Sequence, residues 1–134
     1  MQCFLLFFFF ELILEKIEYE FLWFFLKKYF GNDLNTAIEN SKTKNIVIFK
    51  HSTRCIISKT VLKNFENEAE NSTTENIDFY YLDLLNYRNI SNEIAQKFGI
   101  THQSPQVILI KNEEAIYNAS HDGISLETIK QHLI

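Results

Sequence analysis

The run Ile46-Val47-Ile48-Phe49, followed six residues later by Cys55, constrains the fold most. Consecutive β-branched and aromatic residues without polar alternation mark a strand covered on both faces, and such strands belong to sheets with helices on either side. The flanking segments agree. Upstream, Leu34, Ala37 and Ile38 fall at helical spacing behind Asn32-Asp33, which can cap a helix, and Lys42 and Lys44 suit its C-terminal end. Downstream, Ile57, Val61, Leu62 and Phe65 recur at helical intervals up to a polar stretch, Glu66 to Asn76. Ser52 or Thr53 is the expected N-cap of that helix, which puts Cys55 in its first turn.

The alternation continues to the end of the chain. Ile77 to Asp83 reads as a second strand, and a third helix carries Ile90, Ile94, Ala95 and Phe98, with Asn89 or Ser91 as cap and Gly99 as its left-handed terminus. After Ser104-Pro105, the single proline, Val107 to Ile110, the turn Asn112-Glu113-Glu114 and Ala115 to Tyr117 read as a hairpin. Ser125 caps a last helix with Leu126, Ile129 and Leu133 inward. Strands separated by helices imply parallel pairing through right-handed crossovers, and the hairpin adds an antiparallel edge. The fold class is α/β, a central mixed sheet flanked by helices.

The chain divides near Gly31, because nine of its 13 phenylalanines lie in the first thirty residues. Residues 1–31 are an apolar N-terminal extension and residues 32–134 the folded domain. The leader lacks the positive charge and small-residue cleavage site of a signal peptide, and Glu11, Glu15, Lys16, Glu18 and Glu20 break any membrane span. Residues 12–30 then form an amphipathic helix or short strand on the domain, or the leader is an extension or a mis-called start. Interfacial membrane attachment is the less favoured reading, since the polar face is acidic.

Charge and cysteine content narrow the function. With 17 acidic residues against 13 Lys plus Arg, the net charge of -4 leaves no basic face for nucleic acid. Two cysteines, Cys3 and Cys55, are too few for a disulfide scaffold and suit a reduced cytoplasmic interior. His51 and Cys55 lack a second ligand pair, which argues against zinc. His102, His121 and His132 read as isolated surface or loop residues, Asp83 as a turn-capping carboxylate, and Gly123 as part of a simple turn.

The segment Phe49-Lys50-His51-Ser52-Thr53-Arg54-Cys55-Ile56-Ile57-Ser58 resembles the active-site segment of the monothiol bacilliredoxin family, thioredoxin-fold proteins of the bacillithiol system. Tyr81-Leu82-Asp83-Leu84, Tyr87-Arg88-Asn89-Ile90-Ser91, Phe98-Gly99-Ile100, Ser104-Pro105-Gln106 and Tyr117-Asn118-Ala119-Ser120-His121 resemble it too, in the family's order. The resemblance spans about Asp33 to Ile134. Ile56 stands where many members carry proline, and the leader resembles nothing expected at their amino terminus.

That resemblance implies a thioredoxin-like fold with a cis Pro105 beside the reactive cysteine, which leaves the backbone around Ser104 free to pair with a bound disulfide. It also implies that bacillithiol is the co-substrate, that no cofactor is resident, and that the partners are S-bacillithiolated proteins and an NADPH-dependent bacillithiol disulfide reductase. The residues fit this chemistry. Helix N-terminal amides favour a thiolate over a thiol, and Arg54, with His51, can add positive field. Ser58 occupies the second position of a C-x-x-C pair, so Cys55 cannot close a disulfide there. Ser58 either hydrogen-bonds the Cys55 sulfur or is an ordinary helix residue. Thr53 and Arg54 either cap the helix or guide an anionic thiol, with capping favoured for Thr53. The competing readings are a thioredoxin-like adaptor without catalysis and a redox protein held at a membrane by its leader.

Overall fold

The computed structural model describes residues 34–134. The readings of the leader, the Asn32-Asp33 cap and Cys3 lie outside the described residues. In chain order the elements are α1 (Leu34–Asn40), β1 (Asn45–His51), α2 (Ile56–Glu70), β2 (Ile77–Asp83), α3 (Arg88–Phe98), β3 (Gln106–Lys111), β4 (Glu114–Ser120), a 3-10 turn (His121–Gly123) and α4 (Leu126–Gln131).

The strands form one mixed sheet in the order β2-β1-β3-β4. β1 runs parallel to β2 and antiparallel to β3, and β3 pairs antiparallel with the edge strand β4. Interior placement explains the unbroken apolar run of β1, since both its faces are covered. Val47 and Phe49 join Phe65, Phe79, Leu126 and Ile129 in one core, whereas Ile46 and Ile48 join Leu34, Ile38, Ile90 and Ile94 in another. Successive strand side chains point to opposite faces, so α2 and α4 cover one side and α1 and α3 the other. Phe65 is the hub of the first core, with ring centroids 5.4 Å from Phe49 and 5.9 Å from Phe79.

Several helix ends depart from expectation. At α2 neither Ser52 nor Thr53 is the cap: Cys55 occupies the N-cap without a side-chain cap bond. The helix also runs on to Glu70 through residues expected to form a polar loop, with Ala69 buried. Its inward stripe is Ser58, Phe65 and Ala69, with Val61 and Leu62 packed alongside, and Ile57 is 60% exposed rather than buried. Tyr87, not Asn89 or Ser91, is the N-cap of α3. The preceding turn is held by Asp83, whose carboxylate accepts from the Leu85 amide at 3.1 Å and from Asn86 Nδ2 at 2.7 Å. Lys42 and Lys44 lie beyond α1 and pair instead with Glu113 and Asp78.

Other ends are as expected. Gly99 closes α3 with φ 62°, a conformation that costs glycine no steric penalty. Ser125 accepts from the Thr128 amide at α4, where Glu68 of α2 also accepts from the Leu126 amide at 2.8 Å. The hairpin turn centres on Asn112 and Glu113, both with positive φ, and Glu114 already belongs to β4. Among the described residues no helix is long and apolar enough to cross a membrane.

Burial, with the Glu70 carboxylate one turn on, holds Glu66 up at about 7 against an ordinary 4.5. The folded state therefore binds the proton more tightly, and stability falls as pH rises from about 4.5 to 7. Glu66→Gln should raise the thermal midpoint at pH 8 and leave it near wild type at pH 5. An equal change at both pH values in a thermal melt would refute this origin.

Candidate functional site

The sheet gathers its chemistry at one end. β1 and β2 both finish there, at His51 and Asp83, and the antiparallel β3 begins there, Gln106 being registered with Lys50. The segment after β1 turns at once into α2, with the Cys55 amide donating to the Ser52 carbonyl at 3.2 Å. Cys55 thus stands at the head of a 15-residue helix, partly exposed and with a free thiol. Exposed amides at such a helix start favour negative charge on an adjacent sulfur. Thr53 and Arg54 are exposed in the turn before it, and Ile56 and Ile57 are 80% and 60% exposed just after it.

Ser58 is fully buried and faces inward. Its Oγ lies 2.7 Å from His51 Nδ1 and accepts from the Ser52 amide at 3.2 Å. His51 is buried as well, its ring centroid 5.5 Å from that of Tyr81. Desolvation lowers its pKa below the ordinary 6.5, Asp83 pulls it back up, and Lys59 pushes it down.

On the β3 side the Ser104-Pro105 peptide is cis, as the resemblance implied. The loop before it is braced by the buried Gln106, which donates from Nε2 to the Thr101 carbonyl at 3.1 Å and accepts at Oε1 from the Gln103 amide at 3.4 Å. Ser104 Oγ is buried and without a hydrogen-bond partner. The Pro105 carbonyl accepts from the His121 amide at 3.1 Å, which ties the 3-10 turn holding Gly123 to the same end.

Beneath this loop lies a polar cluster that sequence reasoning missed. Lys50 is wholly buried, yet its ammonium donates to the Ser91 carbonyl at 3.3 Å and stands 3.5 Å from His102 Nδ1. Ser91 Oγ is 3.2 Å from the same nitrogen, and the ammonium, which can only donate, suits Nδ1 as an acceptor. Desolvation brings Lys50 down to about 8. His102 is also lowered, by desolvation and then by the charges of Lys50 and Arg88. His102 is therefore not isolated. The available signal was a lysine directly closing an apolar β-branched run, where a surface strand would have alternated. Among the described residues no group of three His, Cys, Asp or Glu side chains could hold a metal.

A mixed sheet with helices on both faces, a cysteine heading the helix after the first strand and a cis proline opening the antiparallel strand define a thioredoxin-fold thiol protein. Solved structures agree. The chain is similar to an oxidoreductase with a thioredoxin fold, at 25% identity and a TM-score of 0.67 over 80% of this chain and 93% of the other. Thioredoxin from Malassezia sympodialis is 20% identical with a TM-score of 0.65, covering 80% and 90% of the two chains. Thioredoxin f from spinach chloroplast is 15% identical with a TM-score of 0.63, covering 80% and 93%. The family model described as monothiol bacilliredoxin BrxC matches residues 30–129, and the chain belongs to that family.

Proposed function

We propose that the protein removes bacillithiol, or another small thiol, from S-thiolated client proteins through a mixed disulfide at Cys55. The observation that carries this reading is the pairing of a partly exposed thiol at a helix N-terminus with a buried serine, Ser58, at the position a resolving cysteine would need. Such a site has one sulfur to work with, and its chemistry follows from that.

The Cys55 thiolate attacks the small-thiol sulfur of the client disulfide. The client sulfur leaves as a thiolate and takes a proton, while Cys55 keeps the small thiol as a new disulfide. A second small-thiol thiolate then attacks that adduct, freeing Cys55 and forming the symmetrical small-thiol disulfide. The two electrons come from the small thiol, and an NADPH-dependent bacillithiol disulfide reductase restores it. These partners suit a reducing cytoplasm.

Other residues have supporting roles. The backbone around Ser104, beside the cis Pro105, pairs with the bound disulfide, and the cis peptide at this end of the sheet supports that reading. Arg54 and Thr53, exposed in the turn, meet the anionic part of the small thiol. Incubation with oxidised bacillithiol and, separately, oxidised glutathione, followed by mass spectrometry, tests the reading. A single bacillithiol adduct on Cys55 that passes to added thiol is expected. No adduct from either disulfide would leave an adaptor as the better description.

A further inference from the structure

We infer that His51 is a positioning residue for Cys55, acting through the Ser58 hydroxyl. The inference rests on Cys55 being the nucleophile. Its basis is how few groups fix the segment between β1 and α2. His51 is the last residue of β1, Ser52 opens the turn and Ser58 lies in the first turn of α2. One oxygen joins all three, since Ser58 Oγ accepts from the Ser52 amide at 3.2 Å and lies 2.7 Å from His51 Nδ1. Cys55 lies inside this closed bracket, its own amide bonded to Ser52.

The Ser52 amide can only donate, so it takes one lone pair of the hydroxyl. The hydroxyl keeps a second lone pair and its own proton, so it meets Nδ1 either as donor, with the ring proton on Nε2, or as acceptor from an Nδ1–H. Burial, which disfavours the imidazolium, lowers the pKa of the ring. Asp83 and Tyr81 from β2 face the ring, and Lys59 and Ser58 reach it from α2. In either protonation state the hydroxyl can hold both partners, because it has two lone pairs and one proton.

This assigns the buried serine a task a cysteine would perform poorly, because a thiol is a weak donor and a weak acceptor. The residue at position 58 holds the head of α2 in place, so that Cys55 meets its disulfide in one orientation.

The test compares full-length wild type with Ser58→Ala, His51→Phe and His51→Asn, reading the rate of Cys55 adduct formation with oxidised bacillithiol and the ring-nitrogen NMR signals of His51. Asparagine places an amide oxygen near the Nδ1 position but cannot titrate. Ser58→Ala and His51→Phe should each slow the reaction by about tenfold, the scale of one buried hydrogen bond, and His51→Asn should recover most of that loss. The His51 ring-nitrogen signals should move in Ser58→Ala, which removes the partner of Nδ1. Unchanged rates in folded Ser58→Ala, or ring-nitrogen signals that do not move in it, would overturn the inference. Ser58→Ala decides the matter if His51→Phe does not fold, since it deletes a single oxygen. Cys55→Ser in a Cys3→Ser background separates the two ideas: small-thiol release from a client that survives in that variant refutes the nucleophile itself, whereas its loss alongside unchanged Ser58→Ala rates refutes only the positioning role.

Discussion

Cys55→Ser is expected to abolish small-thiol transfer altogether, while Cys3→Ser leaves it nearly intact. A serine hydroxyl at the head of α2 has the position but not the chemistry, because its pKa is far too high for it to ionise near neutrality and it forms no stable bond to a thiol sulfur. The loss should be complete rather than graded, since Ser58 holds the other position from which a second sulfur would act. Cys3 lies outside the residues matched by the family, 30–129, and has no assigned part. Transfer from an S-thiolated client, followed by mass spectrometry of both products, measures this. If the two variants retained equal activity, Cys55 would not be the sole nucleophile.

The second large effect runs in the opposite direction, toward higher stability. Lys50 is wholly buried and its pKa lies at about 8 against an ordinary 10.5. Below pH 8 the folded protein carries a desolvated ammonium, and that cost is present in full. Between about 8 and 10.5 the unfolded chain binds more protons than the native one, so stability rises with pH across that window. The gap from 10.5 to about 8 corresponds to ~3 kcal/mol at roughly 1.4 kcal/mol per unit. Lys50→Met keeps the unbranched shape and removes the charge, forfeiting the ammonium's bond to the Ser91 carbonyl, worth about 2 kcal/mol for a charged donor. The variant should therefore be more stable at pH 7 by about 1 kcal/mol, in line with other replacements of buried charges by apolar groups. Its stability should also lose the alkaline rise. Urea titrations at pH 7, 8, 9 and 10 check both points, and a less stable variant that kept the rise would show that Lys50 is not the group responsible.

The order of elements was legible in the sequence because each depends on its own periodicity. β1 declared itself by an unbroken β-branched run, α4 by Ser125 and its apolar spacing, and the end of α3 by Gly99. The placement of Cys55 at the head of a helix was legible in the same way. What was not legible depends on which of several neighbouring polar groups takes a given backbone partner, or on contacts between distant residues. Cys55, not Ser52 or Thr53, heads α2, because the Ser52 carbonyl is taken by the Cys55 amide and the helix starts one residue later. That shift turns Ile57 outward and Ser58 inward. The turn before α3 is held by Asp83 from the end of β2, and Glu68 supplements the cap of α4 from 58 residues away. Local spacing carries no record of such partners. Lys50 and His102, 52 residues apart, meet only because β1 and the loop before β3 converge.

The hairpin tip, at the end of the sheet remote from Cys55, is bound to the body of the protein. The Asn112 amide donates to the Ser41 carbonyl at 2.9 Å and the Glu113 amide to Ser41 Oγ at 2.7 Å. A two-residue tip of this kind would usually be the first choice for inserting an epitope or a fluorescent peptide, since exposed loop tips tolerate additions. Here an insertion between Asn112 and Glu113 would break both tethers to Ser41, the residue just after α1. The exposed loop residues Glu75 and Asn76, before β2, are also poor hosts, because the Asn76 carbonyl accepts from the Asn45 amide at 3.2 Å. A reporter is better attached through a side chain, at Lys63 on the outward face of α2, where the backbone stays whole.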